Sequence, residues 1–133
     1  MIPFRVIIRP GIPIFEQAVY AATRAIVAGQ LRAGDPFPSV RVLSRELKIN
    51  PNTAQKVISQ LLQQGLLEAH PGIGTVVAEL PSSSARERTK LLGQQIEELV
   101  VEAKRLSIDL EDVTQAIQSH WNRLSKTKSG ETE

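Results

Sequence analysis

From Ile14 to Ala28 the apolar positions recur every three or four residues. Ile14, Phe15, Ala18, Ala21, Ala22, Ala25 and Ile26 fall on one face, with Glu16, Thr23 and Arg24 opposite. That period predicts an amphipathic helix, and Gly29 fits its stop. A second helix is predicted over 40–48, with Ser39 as N-cap and Val40, Leu43 and Leu47 as its core face. Arg41, Arg45 and Lys48 share a different face, within about 60° of one another at roughly 100° per residue. A third helix is predicted over 51–64. Asn50 is its N-cap, Pro51 takes the first helical position, and Gly65 ends it. Ala54, Val57, Ile58, Leu61 and Leu62 form the stripe to be buried. Asn52, Gln55, Lys56, Ser59 and Gln63 lie opposite.

The pattern then changes. Two short strand-like runs, 66–70 and 75–79, flank "PGIG" and predict a β-hairpin. At the N-terminus "FRVII" (4–8) reads as an extended strand or arm. "RAGDPFP" (32–38) reads as a turn and "LPSSSA" (80–85) as a linker. Beyond the linker Leu92, Ile96, Leu99, Ala103 and Leu106 recur at helical spacing. After a break at Ser107 and Ile108, Asp109 is placed to cap a last helix, with Asp112 at its N3 position. Leu110, Val113, Ile117, Trp121 and Leu124 line that helix. The expected domains are 1–80 and a helical tail, 81–125, with 126–133 frayed.

The order helix, helix, tight turn, helix, hairpin is that of a winged helix-turn-helix. The fold class is therefore mainly α with a small β-hairpin: a winged helix-turn-helix domain followed by a two-helix tail. In such a unit the second helix of the pair presents its first turns to the major groove. The break before Asn50 aims that helix, and its positive dipole end suits phosphate. Asn and Gln can bond adenine edges, Ser and Thr several bases, and Lys guanine or phosphate. No acid lies between Asn50 and Gly65. The candidate DNA contacts are Ser39, Arg41, Asn52, Thr53, Gln55, Lys56 and Ser59.

Composition adds modest constraints. The 133 residues, 41% of them apolar, suffice for one domain with an appendage. With no cysteine there is no disulfide framework, thiolate metal site or cysteine nucleophile. No apolar run approaches the roughly 20 residues that span a bilayer, and "MIPFRVIIRPGIP" lacks a signal peptide's apolar core. A soluble cytoplasmic protein with no membrane partner is expected. The net charge of +2 would not by itself suggest nucleic acid, but its distribution is uneven. Residues 1–80 hold eight Lys/Arg against five Asp/Glu, and 81–133 hold eight against nine.

The run from Pro13 to Val77 resembles the GntR family of bacterial transcription regulators. The pieces that carry the resemblance are "PIFEQ", "GQLRAGD", "PSVR", "NPNTAQK", and "QGLLE" followed by "GIGT", in that order. "NPNTAQK" with a short two-helix tail is similar to the YtrA-type subfamily. The resemblance implies that Arg41 contacts DNA and that Asn52, Thr53, Gln55 and Lys56 read bases. It further implies that His70, Gly72 and Gly74 bring the wing to the minor groove or backbone. It also implies a repressor, often of a nearby transporter operon. The wing departs from the family pattern: "AHPGIG" offers only His70 as a base, so a weaker phosphate grip is expected. An Arg-rich recognition helix is absent too, so the preferred DNA sequence should differ.

Beyond residue 80 only 53 residues remain, too few to enclose a metabolite in a core of their own. Leu92, Ile96, Leu99, Leu106, Leu110, Val113, Ile117 and Trp121 make more apolar surface than one helical hairpin hides. They are the candidate dimerisation residues. A homodimer on an inverted-repeat, double-stranded operator is therefore expected. No cofactor and no metal are implied, and no effector is specified.

Two other functional classes fit these residues less well. An enzyme fits poorly: His70 and His120 lack metal-ligand partners at helical spacing. Glu98 and Glu102, beside Lys104 and Arg105, read as a solvated face, and "GIG" has no following helix that would make it a nucleotide loop. A winged helix that binds protein instead of DNA would carry acids or large apolar groups on the third helix's outer face, and none is there.

Overall fold

The computed structural model describes residues 2–125; the fraying expected over 126–133 lies outside the described residues. The chain divides into two units, one running through Pro81 and the other spanning Ser82–Leu124.

In the first unit α1 (Ile14–Val27) buries Ala18, Ala22, Ala25 and Ile26. The three alanines face α3 (Pro51–Gln63) with small side chains, and α3 turns Ala54, Val57, Ile58 and Leu61 inward. Helix α2 (Val40–Leu47) contributes Leu43, which is fully buried together with Leu61 and Val57. Truncating such a side chain to alanine costs about 2–5 kcal/mol. Strands β1 (Leu67–His70) and β2 (Gly74–Val77) pair antiparallel, Leu67 opposite Val77 and His70 opposite Gly74. The buried cluster of this unit lies between Phe4 and Val77, so its core is complete within the unit.

Gly65 ends α3 as expected. Its φ of +78° turns the chain, and Leu66 donates its N–H back to the Leu61 carbonyl at 3.0 Å. A Cβ at Gly65 would also stand 3.3 Å from Pro81 Cγ.

Of two further segments, one takes one of the two forms expected of it and the other departs from its reading. Residues 4–8 form an arm without strand pairing. Phe4 is buried against Phe37, ring centroids 5.7 Å apart. The Gln17 side chain then takes the place of a partner strand: its Oε1 accepts from Arg9 N–H at 2.8 Å, and its Nε2 donates to the carbonyls of Arg9 and Ile12. The "RAGDPFP" segment is more than a turn. It runs antiparallel along β2 as a short edge: Phe37 N–H donates to Thr75 O, Val77 N–H to Asp35 O and Gly34 N–H to Val77 O, each at 2.8 Å. Pro36 can sit there because an edge position needs no donor from it.

The second unit is helical. Helix α4 (Ala85–Thr89) passes through a π-helical stretch (Lys90–Gln95) into α5 (Ile96–Arg105), and α6 (Leu110–Arg123) follows. The helix begins at Ala85, the last residue of the segment read as linker. Ser84 and Glu87 form a reciprocal capping box, Glu87 N–H to Ser84 Oγ at 3.1 Å and Ser84 N–H to Glu87 Oε1 at 2.8 Å. Gly93 lies in the π-helical stretch, where a Cβ would meet Thr89 Cγ2 at an ordinary 3.8 Å. The wider turn rotates Leu91 and Leu92 relative to the α5 stripe. Ser107, at a φ of +59°, makes the expected break. Asp109 sits at the N-cap of α6 with extended backbone, but its side chain makes no capping bond, contrary to expectation.

Candidate nucleic-acid interface

The surface is built around the turn from α2 to α3. Lys48 adopts a left-handed conformation, φ +56° and ψ +48°, and its N–H donates to the Ser44 carbonyl. The Ile49 N–H reaches the same carbonyl at 3.1 Å, and Ser44 Oγ donates to Ile49 O at 2.9 Å. Ile49 packs against the core between these bonds. Asn50 then caps α3, its Oδ1 accepting from Asn52 N–H at 2.7 Å. The chain thus needs only Lys48, Ile49 and Asn50 to turn from one helix to the next. Lys48 leaves the helix at this point, so it does not continue the row of Arg41 and Arg45 as its spacing suggested. The open N–H groups expected at the start of α3 are also fewer: Pro51 has none and Asn50 takes that of Asn52.

On α3, Asn52, Gln55, Lys56 and Ser59 are exposed and Thr53 is half-buried. Gln55 Nε2 donates to Ser59 Oγ at 3.1 Å, one helical turn on. The pair holds the Gln55 amide in place, and bidentate contact with a base would exchange this bond for two others. At the start of α2, Ser39 Oγ accepts from Val42 N–H at 3.2 Å. Ser39 therefore has a capping role, and Arg41 is exposed two residues beyond it.

The wing tip is a type II turn. Ile73 N–H donates to His70 O at 3.0 Å, with Pro71 at the second position and Gly72, φ +80°, at the third. Gly74 follows at a φ of +109°. His70 Nε2 lies 2.9 Å from Glu68 Oε1. The wing's sole base thus stands against a carboxylate, which weakens its pull on phosphate further. The sequence reading missed Glu68 here, although an i, i+2 pair shares one face of a strand. It also missed Ser44, which no sequence pattern distinguishes from an ordinary exposed helical serine.

Among the described residues no group of three or more His, Asp or Glu could hold a metal ion, and no helix is long and apolar enough to cross a membrane.

The model of the bacterial regulatory proteins of the gntR family matches residues 15–77, from α1 through β2. The uncharacterized HTH-type transcriptional regulator YhcF of Bacillus subtilis (strain 168) is 31% identical over 107 residues, 80% of this chain and 88% of that protein. The chain belongs to the GntR family. It is a DNA-binding transcription regulator. The HTH-type transcriptional repressor YtrA of the same organism is 29% identical over 111 residues, 83% of this chain and 85% of that one. Matches of this length extend beyond the GntR winged helix into the tail. A solved GntR family regulator from Listeria monocytogenes shares the fold at a TM-score of 0.62 and 26% identity, covering 84% of this chain and 98% of that one.

Proposed function

We propose that the chain acts in the cytoplasm as a homodimeric repressor that reads an inverted-repeat operator with α3. The observation that carries this reading is the outer face of α3, polar, exposed and free of acids along its whole length. Asn52, Thr53, Gln55 and Lys56 contact base edges or the adjacent phosphates, and Ser59 steadies Gln55. Arg41 grips DNA from the start of α2, and Ser39 acts by fixing that start. The wing, with His70, Gly72 and Gly74 at its tip, approaches the backbone and adds little charge. The repressor named among the relatives supports repression as the outcome.

Pairing falls to the tail. Ala103 is its sole buried residue among those described, and Val113 is half-buried. Leu92, Leu110 and Trp121 are each more than half exposed, and Ile96, Leu99, Leu106 and Ile117 are exposed beside them. A second copy covers this surface, and the two-fold axis so formed sets the spacing of the half-sites.

Sedimentation of the full chain and of residues 1–80 tests the pairing. The core of the first unit lies within 1–80, so the shorter chain folds. The full chain should be a dimer at micromolar concentration and the shorter one a monomer that keeps only weak, salt-sensitive DNA affinity. A monomeric full chain, or a dimer of 1–80, would reject the tail's role.

A further inference from the structure

A second feature lies on the side of α1 turned away from α3. Glu16, Tyr20 and Arg24 follow one another at i, i+4 and i+8, opposite the buried Ala18, Ala22 and Ala25. The arm runs beside this row, and together they enclose a cleft of about 700 Å³. Arg5, Arg9 and Arg24 supply its charge; Ile7, Ile12 and Tyr20 supply its apolar wall. None of the three guanidinium groups forms an ion pair among the described residues. Tyr20 is 65% exposed and Ile7 68%, so the apolar wall is open to solvent. The three Gln17 bonds fix the backbone of Arg9 and Ile12 against α1, so this wall is held in place.

We propose that this cleft binds a small organic anion with an aromatic or branched apolar body. Its volume is in the range of small-molecule sites, roughly 300–1,000 Å³. Arg5, Ala21 and Arg24 also line an adjoining hollow of about 500 Å³, whose wall carries Glu46 as well, so the anion's place is on the side of the two arginines, where the recesses share their lining. The carboxylate or phosphate group sits between these two guanidinium groups, which offer paired donors to either. The apolar body lies along Tyr20 and Ile12, and Glu16 disfavours the reversed orientation. DNA is not the occupant, because α1 turns its other side to α3. The same arm carries Phe4, stacked on Phe37 just before Ser39. An anion that fixes the arm therefore has a packed route to the start of α2.

The chain has a single tyrosine, so 3-fluorotyrosine labelling of the full protein gives one fluorine resonance, at the cleft. Benzoate and phenyl phosphate are titrated, with benzyl alcohol as the neutral probe. At least one anion should shift the resonance saturably while benzyl alcohol does not; benzoate alone assigns a carboxylate ligand, phenyl phosphate alone a phosphate ester. Arg24→Gln and Arg5→Gln should each weaken that binding about tenfold, and Arg41→Gln should leave it unchanged. No saturable shift from either anion, an equal shift from the alcohol, or undiminished binding in both arginine variants would overturn the site. So would a loss of non-specific DNA affinity in Arg24→Gln with a shallower salt dependence, because the arginines would then be DNA contacts.

Discussion

The hydroxyl of Ser44 donates a 2.9 Å hydrogen bond to the carbonyl of Ile49, five residues on, across the turn that aims α3. The Ser44 carbonyl meanwhile accepts from the N–H groups of Lys48 and Ile49. Its side chain and backbone therefore clamp the turn from both sides. Ser44→Ala removes one partner of a partly buried pair and should cost about 1 kcal/mol of stability in urea unfolding. Specific DNA affinity should fall as well, because α3 loses its fixed angle. Unchanged stability would show that the bond is replaced by water without loss.

Lys48 holds a left-handed backbone conformation that a Cβ disfavours. Lys48→Gly and Lys48→Ala remove the same charge, but only glycine relieves the conformation. The glycine variant should be more stable than the alanine variant by about 1 kcal/mol in thermal or urea unfolding. Equal stability would mean that the left-handed turn is not kept in solution.

Arg41→Ala should weaken binding to the operator by about 1–3 kcal/mol if its guanidinium contacts a base bidentately. If it grips phosphate, the loss should be similar on all sequences and the salt dependence shallower. Affinity measured on operator and random DNA across a salt series separates the two. No change on either DNA would remove Arg41 from the interface.

The first turn of the tail helix should respond to acid. The Ser84 backbone N–H, and then its hydroxyl, hold the Glu87 carboxyl below its ordinary value of 4.5. A depressed folded-state value means that the cap's contribution is complete above the unfolded value and is lost as pH falls through the folded one. Amide exchange over residues 84–88 should therefore accelerate on acidification below about pH 4.5, relative to the intrinsic rate. Arg105 likewise lowers Glu102, so Glu87→Gln isolates the effect: its exchange should lose the acid-dependent step. The same acid step in that variant would assign the change elsewhere.

The helices of the winged unit were legible because apolar period and end signals agreed. Ala54, Val57, Ile58 and Leu61 gave the stripe of α3, while Asn50, Pro51 and Gly65 marked its ends. The edge at residues 34–37 was hidden, because Gly34, Asp35 and Pro36 have turn chemistry and pair only once β2 is beside them. The Phe4–Phe37 stack was hidden for the same reason: it joins distant segments. The Ser84–Glu87 box stands in the sequence as Ser-x-x-Glu, but the composition of "LPSSSA" reads as linker through Ala85, the first helical residue. Of the candidate interface, residue types and exposure could be read in advance. The Gln55–Ser59 and Glu68–His70 pairs depend on side-chain geometry.

Site selection from random double-stranded DNA, by the full chain and by Gln55→Ala, tests most directly whether α3 reads bases. Gln55 is exposed opposite the buried Ala54, Val57 and Leu61, so its truncation leaves the fold intact. The parent should enrich two inverted half-sites separated by about a whole number of helical turns. Gln55→Ala should enrich the same site with discrimination relaxed at one position in each half. Failure of the parent to enrich any sequence, or an identical consensus from both proteins, would contradict base reading by Gln55 on α3.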